Sequence, residues 1–491
     1  MTADLLLVLD AGTTSTRAIA FTAKGAIIAS AGRPITQSYP QPGWVEHDAA
    51  EIWRASRDCL IEVADSVGAA RIAAIGITNQ RETVVLWDKV SGEPLAPAIV
   101  WQDRRTADAC AALKSAGHEP WVQAQTGLLL DPYFSATKIR WALDNWPQVA
   151  AAEARGTLLA GTVESWLIWK LSAGSRHITD ATNAARTLLM GLESCRWEPE
   201  LLALFGVPAA ILPEISDCAG PLATTALLGG QTPITGSAGD QQAAAIGQAC
   251  LAPGQLKATY GTGCFLLAHA GAVPPRSTHR LLSTVAWRLG GVPAYALEGS
   301  IFTAGAAVQW LRDGLGLIAS AAETEALAAS VPDSGGVIVV PALAGLGAPH
   351  WQPEARGIIT GLSGGTTRAH IARATLEAMG QQTADLVDAL AADGVAAGKL
   401  RVDGGMVAND WLCQDLADSL GITVERPRVI ETTALGAAML AGVGAGLFPD
   451  LAAAAAAMSA ADRSFTPALP APARQARRAA WGRAIRQTLA N

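Results

Sequence analysis

Three short stretches of this chain carry residue types that could move a phosphoryl group onto an alcohol. The first is Asp10-Ala11-Gly12-Thr13-Thr14-Ser15-Thr16-Arg17, set between the apolar runs Leu5–Leu9 and Ala18–Phe21. A turn of Gly, Thr and Ser between two strands leaves backbone N–H groups and hydroxyls free to face anionic oxygens. Asp10, at the end of the first strand, can hold a hydrated Mg²⁺ beside them. The second is Thr78-Asn79-Gln80-Arg81-Glu82, directly after the strand-like Ile72–Ile77. Open α/β sheets place ligands at such carboxyl ends, and a small polyol offers hydroxyls from which Glu82 can accept and to which Arg81 can donate. The third is Gly236-Ser237-Ala238-Gly239-Asp240-Gln241-Gln242, ahead of the helix-like Ala243–Gly247. Asp240 can take the proton of an attacking hydroxyl, the task an aspartate performs in protein-kinase catalytic loops, while Gln241 hydrogen-bonds another hydroxyl. Each stretch also has a purely structural reading: a hairpin turn, an Arg–Glu pair capping a strand, and an aspartate N-cap.

The elements that must position these groups repeat one idea. Gln255–Tyr260 reads as a strand, Gly261-Thr262-Gly263-Cys264 as a turn and Phe265–His269 as a return strand, a second phosphate-type hairpin. A third glycine turn, Leu400–Asn409, joins a strand to a helix and could receive the adenosine end of a nucleotide. The ordered set of three resembles the ATPase core of sugar kinases, actin and the Hsp70 chaperones. The first turn is neither a Walker loop nor G-x-G-x-x-G. Strand-like Ile72–Ile77 and Val337–Val340 alternate with helix-like Ile52–Val67, Ile371–Leu390 and Asn409–Leu420, an α/β pattern. Pro253-Gly254 ends a helical run just before the second hairpin and places a lobe boundary there, giving lobes 1–250 and 251–491. Trp101 and Tyr133, the latter in Asp131-Pro132-Tyr133-Phe134, either wall a carbon skeleton or pack in a core. Ala452–Ala457 reads as a surface helix.

Composition narrows the class. In 491 residues, half of them apolar, the formal charge is −7, which argues against a nucleic-acid partner. Arg474, Arg477, Arg478 and Arg483 are spaced like one solvated helix face. The N-terminal residues lack a basic, apolar leader and no run suits a transmembrane span, so a cytoplasmic location is expected. Seven scattered cysteines without a C-x-x-C pair suggest neither disulfides nor zinc; Cys264, beside the second phosphate turn, reads as a small core residue.

Together with Pro42–Asp48, Asp131–Ser135, Thr259–Phe265, Gly345–Pro349 and Arg401–Gly405, these motifs run nearly end to end, and the chain resembles the FGGY carbohydrate kinase family, its glycerol kinases in particular. The Asn-Gln-Arg-Glu and Asp-Pro-Tyr-Phe strings separate those from xylulose or gluconate kinases. The resemblance implies two actin-like, ribonuclease-H-type α/β lobes around a central catalytic cleft where glycerol meets MgATP. It implies glycerol contacts from Arg81, Glu82, Trp101, Tyr133, Asp240, Gln241 and Phe265, with Asp240 as base and Mg²⁺ near Asp10. Thr13, Thr14, Ser15, Arg17 and Thr262 would line the phosphates, and Gly305, Gln309, Gly405 and Asn409 the rest of the nucleotide. A homodimer or homotetramer is implied as well. The chain departs from some members at Leu228–Thr235, which is short and holds no Arg or Lys, so inhibition by fructose 1,6-bisphosphate is expected to be weak or absent. Pro467–Pro472 also differs from the segment through which some members bind a sugar-phosphotransferase regulator.

Overall fold

A computed structural model of the chain describes residues 3–490. Two mixed sheets form its two halves. In the first, Ile27–Pro34, Ser15–Thr22, Leu5–Ala11, Ile72–Asn79, Thr232–Gly239 and Ala219–Thr225 lie side by side. Leu5–Ala11 is antiparallel to Ser15–Thr22 and parallel to Ile72–Asn79, which is parallel in turn to Thr232–Gly239. The second sheet runs Leu282–Leu289, Val292–Ile301, Cys264–Gly271, Gln255–Tyr260, Lys399–Asp403, Thr423–Pro427 and Ala461–Phe465. Its antiparallel hairpin of Gln255–Tyr260 and Cys264–Gly271, beside the parallel Lys399–Asp403, repeats the same pattern. In both, the central strand has helices or strands on each face, so every residue of Leu5–Ala11 is buried and the strand reads as one apolar run.

Helices follow their caps and periodicity. Asp48 accepts from the Ala50 N–H at 2.8 Å and starts Ala49–Val67 three residues ahead of the apolar pattern. Ile52, Ala55, Cys59, Leu60 and Val63 turn inward at helical spacing. The helix Thr432–Gly444 is apolar on nearly every side because it is covered on every side: it packs on the first sheet and on Asp240–Gly247. Gly436 and Gly247 let those two helices touch backbone to backbone, since a Cβ at Gly436 would collide with Ala243 O and one at Gly247 with Thr432 O.

That helix alters the expected division of the chain. The sheets do separate between Gly239 and Gln255, but residues 432–458 return to the first sheet's core, where Leu435, Met439, Leu451 and Met458 are buried. A cut at 250/251 in sequence is therefore not a cut in space. Ala452–Ala457 lies inside Leu451–Met458, a helix with one face buried there. The arginine face of the C-terminal helix Ala471–Ala490 is also not simply solvated. Arg477 pairs with Asp415 at 2.6 Å, and Arg478 pairs with Asp385 and Asp388 at 2.7 Å each, clamping the helix to its neighbours. All seven cysteines are free and buried; Cys264 is fully covered, and burial pushes its thiol up to about 12. Among the described residues no helix is long and apolar enough to cross a membrane.

Candidate functional site

The first phosphate turn forms as a hairpin, with Asp10 opposite Arg17 in the ladder and the Gly12 N–H closing on Ser15 O at 3.0 Å. Thr14 is exposed at the tip, and Thr13 and Ser15 are half-buried. Arg17 is not free along the phosphate path: one nitrogen donates to Asp10 at 2.9 Å and the other pairs with Glu431 at 2.8 Å. Burial pushes the Asp10 carboxyl up, against the pull of Arg17. Among the described residues no three or more metal-ligating side chains gather. A lone carboxylate beside a hydroxyl-rich turn fits Mg²⁺, which keeps most of its waters and takes substrate phosphates as its other ligands.

At the end of Thr232–Gly239 the chain turns directly into the helix Asp240–Gly247. The N-cap position belongs to Gly239, not to Asp240, because the Gly239 N–H donates to Thr182 Oγ1 at 2.9 Å and the helix opens one residue later. Asp240 Oδ1 accepts from the Gln241 N–H at 2.7 Å and pairs with Arg81 Nε at 3.2 Å. Its side chain is 34% exposed, and Oδ2 has no protein partner among the described residues.

Arg81 and Glu82 meet two residues that the sequence did not single out. Arg81 Nη1 donates to Glu298 at 2.6 Å, Arg186 Nη2 to the other Glu298 oxygen at 2.8 Å, and Arg186 Nε to Glu82 at 2.6 Å. Asp240, Arg81, Glu298, Arg186 and Glu82 thus alternate in charge, and the last four are each at most 3% exposed. Burial alone would raise the Glu298 carboxyl, yet Arg186 and Arg81 hold it down at about 2. Glu298 belongs to the second sheet, so the row ties the halves together. A signal existed: Glu298 is the one charge in the apolar strand Val292–Ile301. Glu82 adopts a left-handed backbone (φ 60°), held by Ser135 Oγ donating to its carbonyl at 3.0 Å.

Behind this row lies a buried polar hub. Asp180 caps the short helix Ala181–Ala184 and accepts from Ser237 Oγ at 2.8 Å. Asn183 and Asn79 exchange amide hydrogen bonds at 3.0 Å, and Asn79 also donates to Glu164 at 2.9 Å. Burial, helped by Asp180, pushes the Glu164 carboxyl up to about 8. The hub holds the carboxyl ends of Ile72–Asn79 and Thr232–Gly239, the strands that deliver Arg81 and Asp240.

Trp101, Tyr133 and Phe265 do come together. Trp101 meets Tyr133 edge-on at 5.7 Å and Phe265 at 6.5 Å, and its Nε1 donates to Thr13 Oγ1 at 2.9 Å. Arg186 sits 5.6 Å over the Tyr133 ring. Gln241 Oε1 accepts from the buried Lys257 ammonium, which also donates to Phe265 O at 3.5 Å.

The residues expected around the nucleotide are more open. Thr262 is exposed, and its carbonyl accepts from the Ala304 and Ala306 N–H groups at 2.9 and 3.1 Å. The Gly305 N–H donates to Gly261 O at 2.9 Å, and a Cβ there would stand 2.6 Å from that oxygen and 3.6 Å from Met406 Cγ. This brings the 261–263, 305 and 404–406 turns together, with Gln309 exposed one turn along. Gly404 (φ 91°) passes against the Tyr260 backbone, where no side chain fits, whereas Gly405 faces open space. Asn409 caps Asp410–Leu420 by accepting from the Leu412 N–H at 2.9 Å.

Known proteins are similar to this chain over nearly its whole length. The model for the FGGY family of carbohydrate kinases, N-terminal domain, matches residues 5–247, and that for the C-terminal domain matches 256–445. A glycerol kinase of Rhodospirillum rubrum is 56% identical over 487 residues, covering 98% of each chain. One from Dechloromonas aromatica is 55% identical, covering 99% of this chain and 97% of its own. Among solved structures, Plasmodium falciparum glycerol kinase with ADP superposes with a TM-score of 0.95 at 35% identity over 99% of both chains. A xylulose kinase from Lactobacillus acidophilus, 21% identical at a TM-score of 0.89 over 100% and 99%, shares the fold. With both domain models matched in order and relatives similar over almost the whole length, the chain belongs to the FGGY family of carbohydrate kinases.

Proposed function

We propose that this kinase transfers the γ-phosphoryl group of ATP to a terminal hydroxyl of glycerol, giving sn-glycerol 3-phosphate and ADP. The observation that carries this reading is Asp240: one oxygen is fixed by Arg81 and the Gln241 N–H, and the other is unpartnered at a half-open position. Oδ2 takes the hydroxyl proton as the glycerol hydroxyl oxygen forms its bond to the γ-phosphorus. The bond from phosphorus to the β–γ bridging oxygen breaks, and ADP leaves with the electron pair.

Glycerol sits among Arg81, Glu82, Trp101, Tyr133, Asp240, Gln241 and Phe265. Arg81 Nη2 and Glu82 Oε2 make no protein hydrogen bond among the described residues, leaving a donor nitrogen and an acceptor oxygen for hydroxyls. Thr13, Thr14, Ser15, Arg17 and Thr262 line the phosphates, and Gly305, Gln309, Gly405 and Asn409 the remaining nucleotide. Asp10 would hold a Mg²⁺ ion, which would supply charge neutralisation for the phosphates. The lobes close during turnover, because water must be kept from the γ-phosphate. The reading includes a cytoplasmic enzyme that assembles as a homodimer or homotetramer.

The test is ADP release from MgATP with glycerol, with no acceptor, and with erythritol, xylulose or ribulose. Saturable release with glycerol alone is expected. Turnover only with another acceptor would overturn the substrate while keeping the Asp240 chemistry.

A further inference from the structure

Lys257 is buried completely, on the strand Gln255–Tyr260 of the second sheet, yet no carboxylate among the described residues lies within ion-pair distance of its ammonium. A buried charge is costly unless its protons are satisfied. Here two of them go to Gln241 Oε1, on a helix of the first half, and to Phe265 O, on the neighbouring strand. Asp403, Asp240 and Glu298 supply negative charge at longer range. An ammonium only donates, so the Gln241 amide must turn its oxygen toward Lys257 and its NH₂ the other way. That NH₂ has no acceptor among the described residues, and Gln241 is half-buried beside Asp240.

We infer that Lys257 is a positioning residue for acceptor specificity: it fixes the Gln241 amide so that two N–H donors face the acceptor pocket, which then selects a hydroxyl oxygen at that point. This rests on the glycerol reading above, and it goes further by explaining why a glutamine can act there as a pure donor. The same ammonium ties Gln241 to the strand carrying Phe265, so one buried charge sets two walls of the pocket from opposite halves.

The first experiment is Gln241→Glu. A carboxylate at this position gains the Lys257 ammonium as a counter-ion and loses both N–H donors. The melting temperature is expected to rise by about 2 °C or more, while the glycerol KM rises about tenfold or more and the ATP KM stays within about twofold. A merely structural contact does not raise stability while weakening one substrate. An unchanged or lowered melting temperature, or an unchanged glycerol KM, overturns the inference. The second is a double-mutant cycle. Lys257→Met should raise the glycerol KM as Gln241→Ala does, and the double variant should be no worse than Gln241→Ala alone. Additive losses would show that Lys257 acts elsewhere. Where Lys257→Met does not fold, Gln241→Glu decides alone. Absence of glycerol-dependent ADP release in the unaltered protein would instead retire the substrate reading, so the two failures are distinguishable.

Discussion

The proposed acceptor side and the proposed nucleotide side of the site are built on opposite plans. On the acceptor side, side chains hold one another: Arg81, Glu82, Arg186 and Glu298 are buried in a single charge row, backed by the Glu164–Asn79–Asn183–Asp180 hub. On the nucleotide side, backbone holds backbone: the 261–263 turn is fastened to residues 304–306 by carbonyl and N–H groups, and Thr262, Gln309 and Gly405 face outward. The difference fits the ligands proposed for each side. A small polyol has few atoms, so its pocket must be shaped before it arrives. A polyphosphate brings its own charge, and open N–H groups on a glycine turn suffice to meet it.

Substitutions can break that contrast. The largest effect belongs to Asp240→Asn, which keeps the hydrogen bond from the Gln241 N–H but cannot take a proton. Turnover should fall by about 10²-fold or more, while calorimetry finds glycerol and ATP binding nearly intact; turnover like that of the unaltered enzyme would return Asp240 to a structural role. Next is Glu298→Gln. It leaves Arg186 with Glu82 and Arg81 with Asp240 but strips both of their shared anion, so urea unfolding should register a loss of about 3 kcal/mol. If stability is retained, the acceptor side is not held by charge.

A smaller effect tests the hub through pH. Glu164 titrates at about 8 when folded against an ordinary 4.5, so between these values the folded chain keeps a proton that the unfolded chain releases. Stability therefore falls as pH rises through that window, by up to about 1.4 kcal/mol per unit from this group. Asp415, raised to about 7, adds a similar slope at lower pH. Glu164→Gln should remove only the Glu164 share, seen as a flatter stability profile between pH 5 and 8; parallel profiles would mean that the carboxyl ionises normally. Smallest is Gly405→Ala on the nucleotide side. The added Cβ meets nothing within 4 Å, so stability should shift by less than about 0.5 kcal/mol while the ATP KM rises and the glycerol KM does not. A stability loss as large as that of Glu298→Gln would erase the contrast between the two sides.

Much of the site was legible one segment at a time. The Asp10–Arg17 and Tyr260–Cys264 turns and the helix after Gly239 lie where turn chemistry and periodicity place them, and the strand expected over Ile72–Ile77 runs two residues further, to Asn79. The pairing of Arg186 with Glu298 was not legible: they are 112 positions apart, and neither stands in a pattern that names the other. The partner of Arg17 was hidden for the same reason, since Glu431, which pairs with one of its nitrogens, lies more than 400 positions further along the chain.

By itself the sequence determined the elements, the turns and the residue types available for phosphoryl transfer, because glycine, hydroxyl and cap preferences and apolar spacing act over a few neighbouring residues. Only the tertiary structure decided which charges neutralise one another, that Thr432–Gly444 completes the first half, and that Lys257 donates to Gln241. Burying a charge is favourable only when a partner arrives from another strand or helix, and folding, not local sequence, brings that partner.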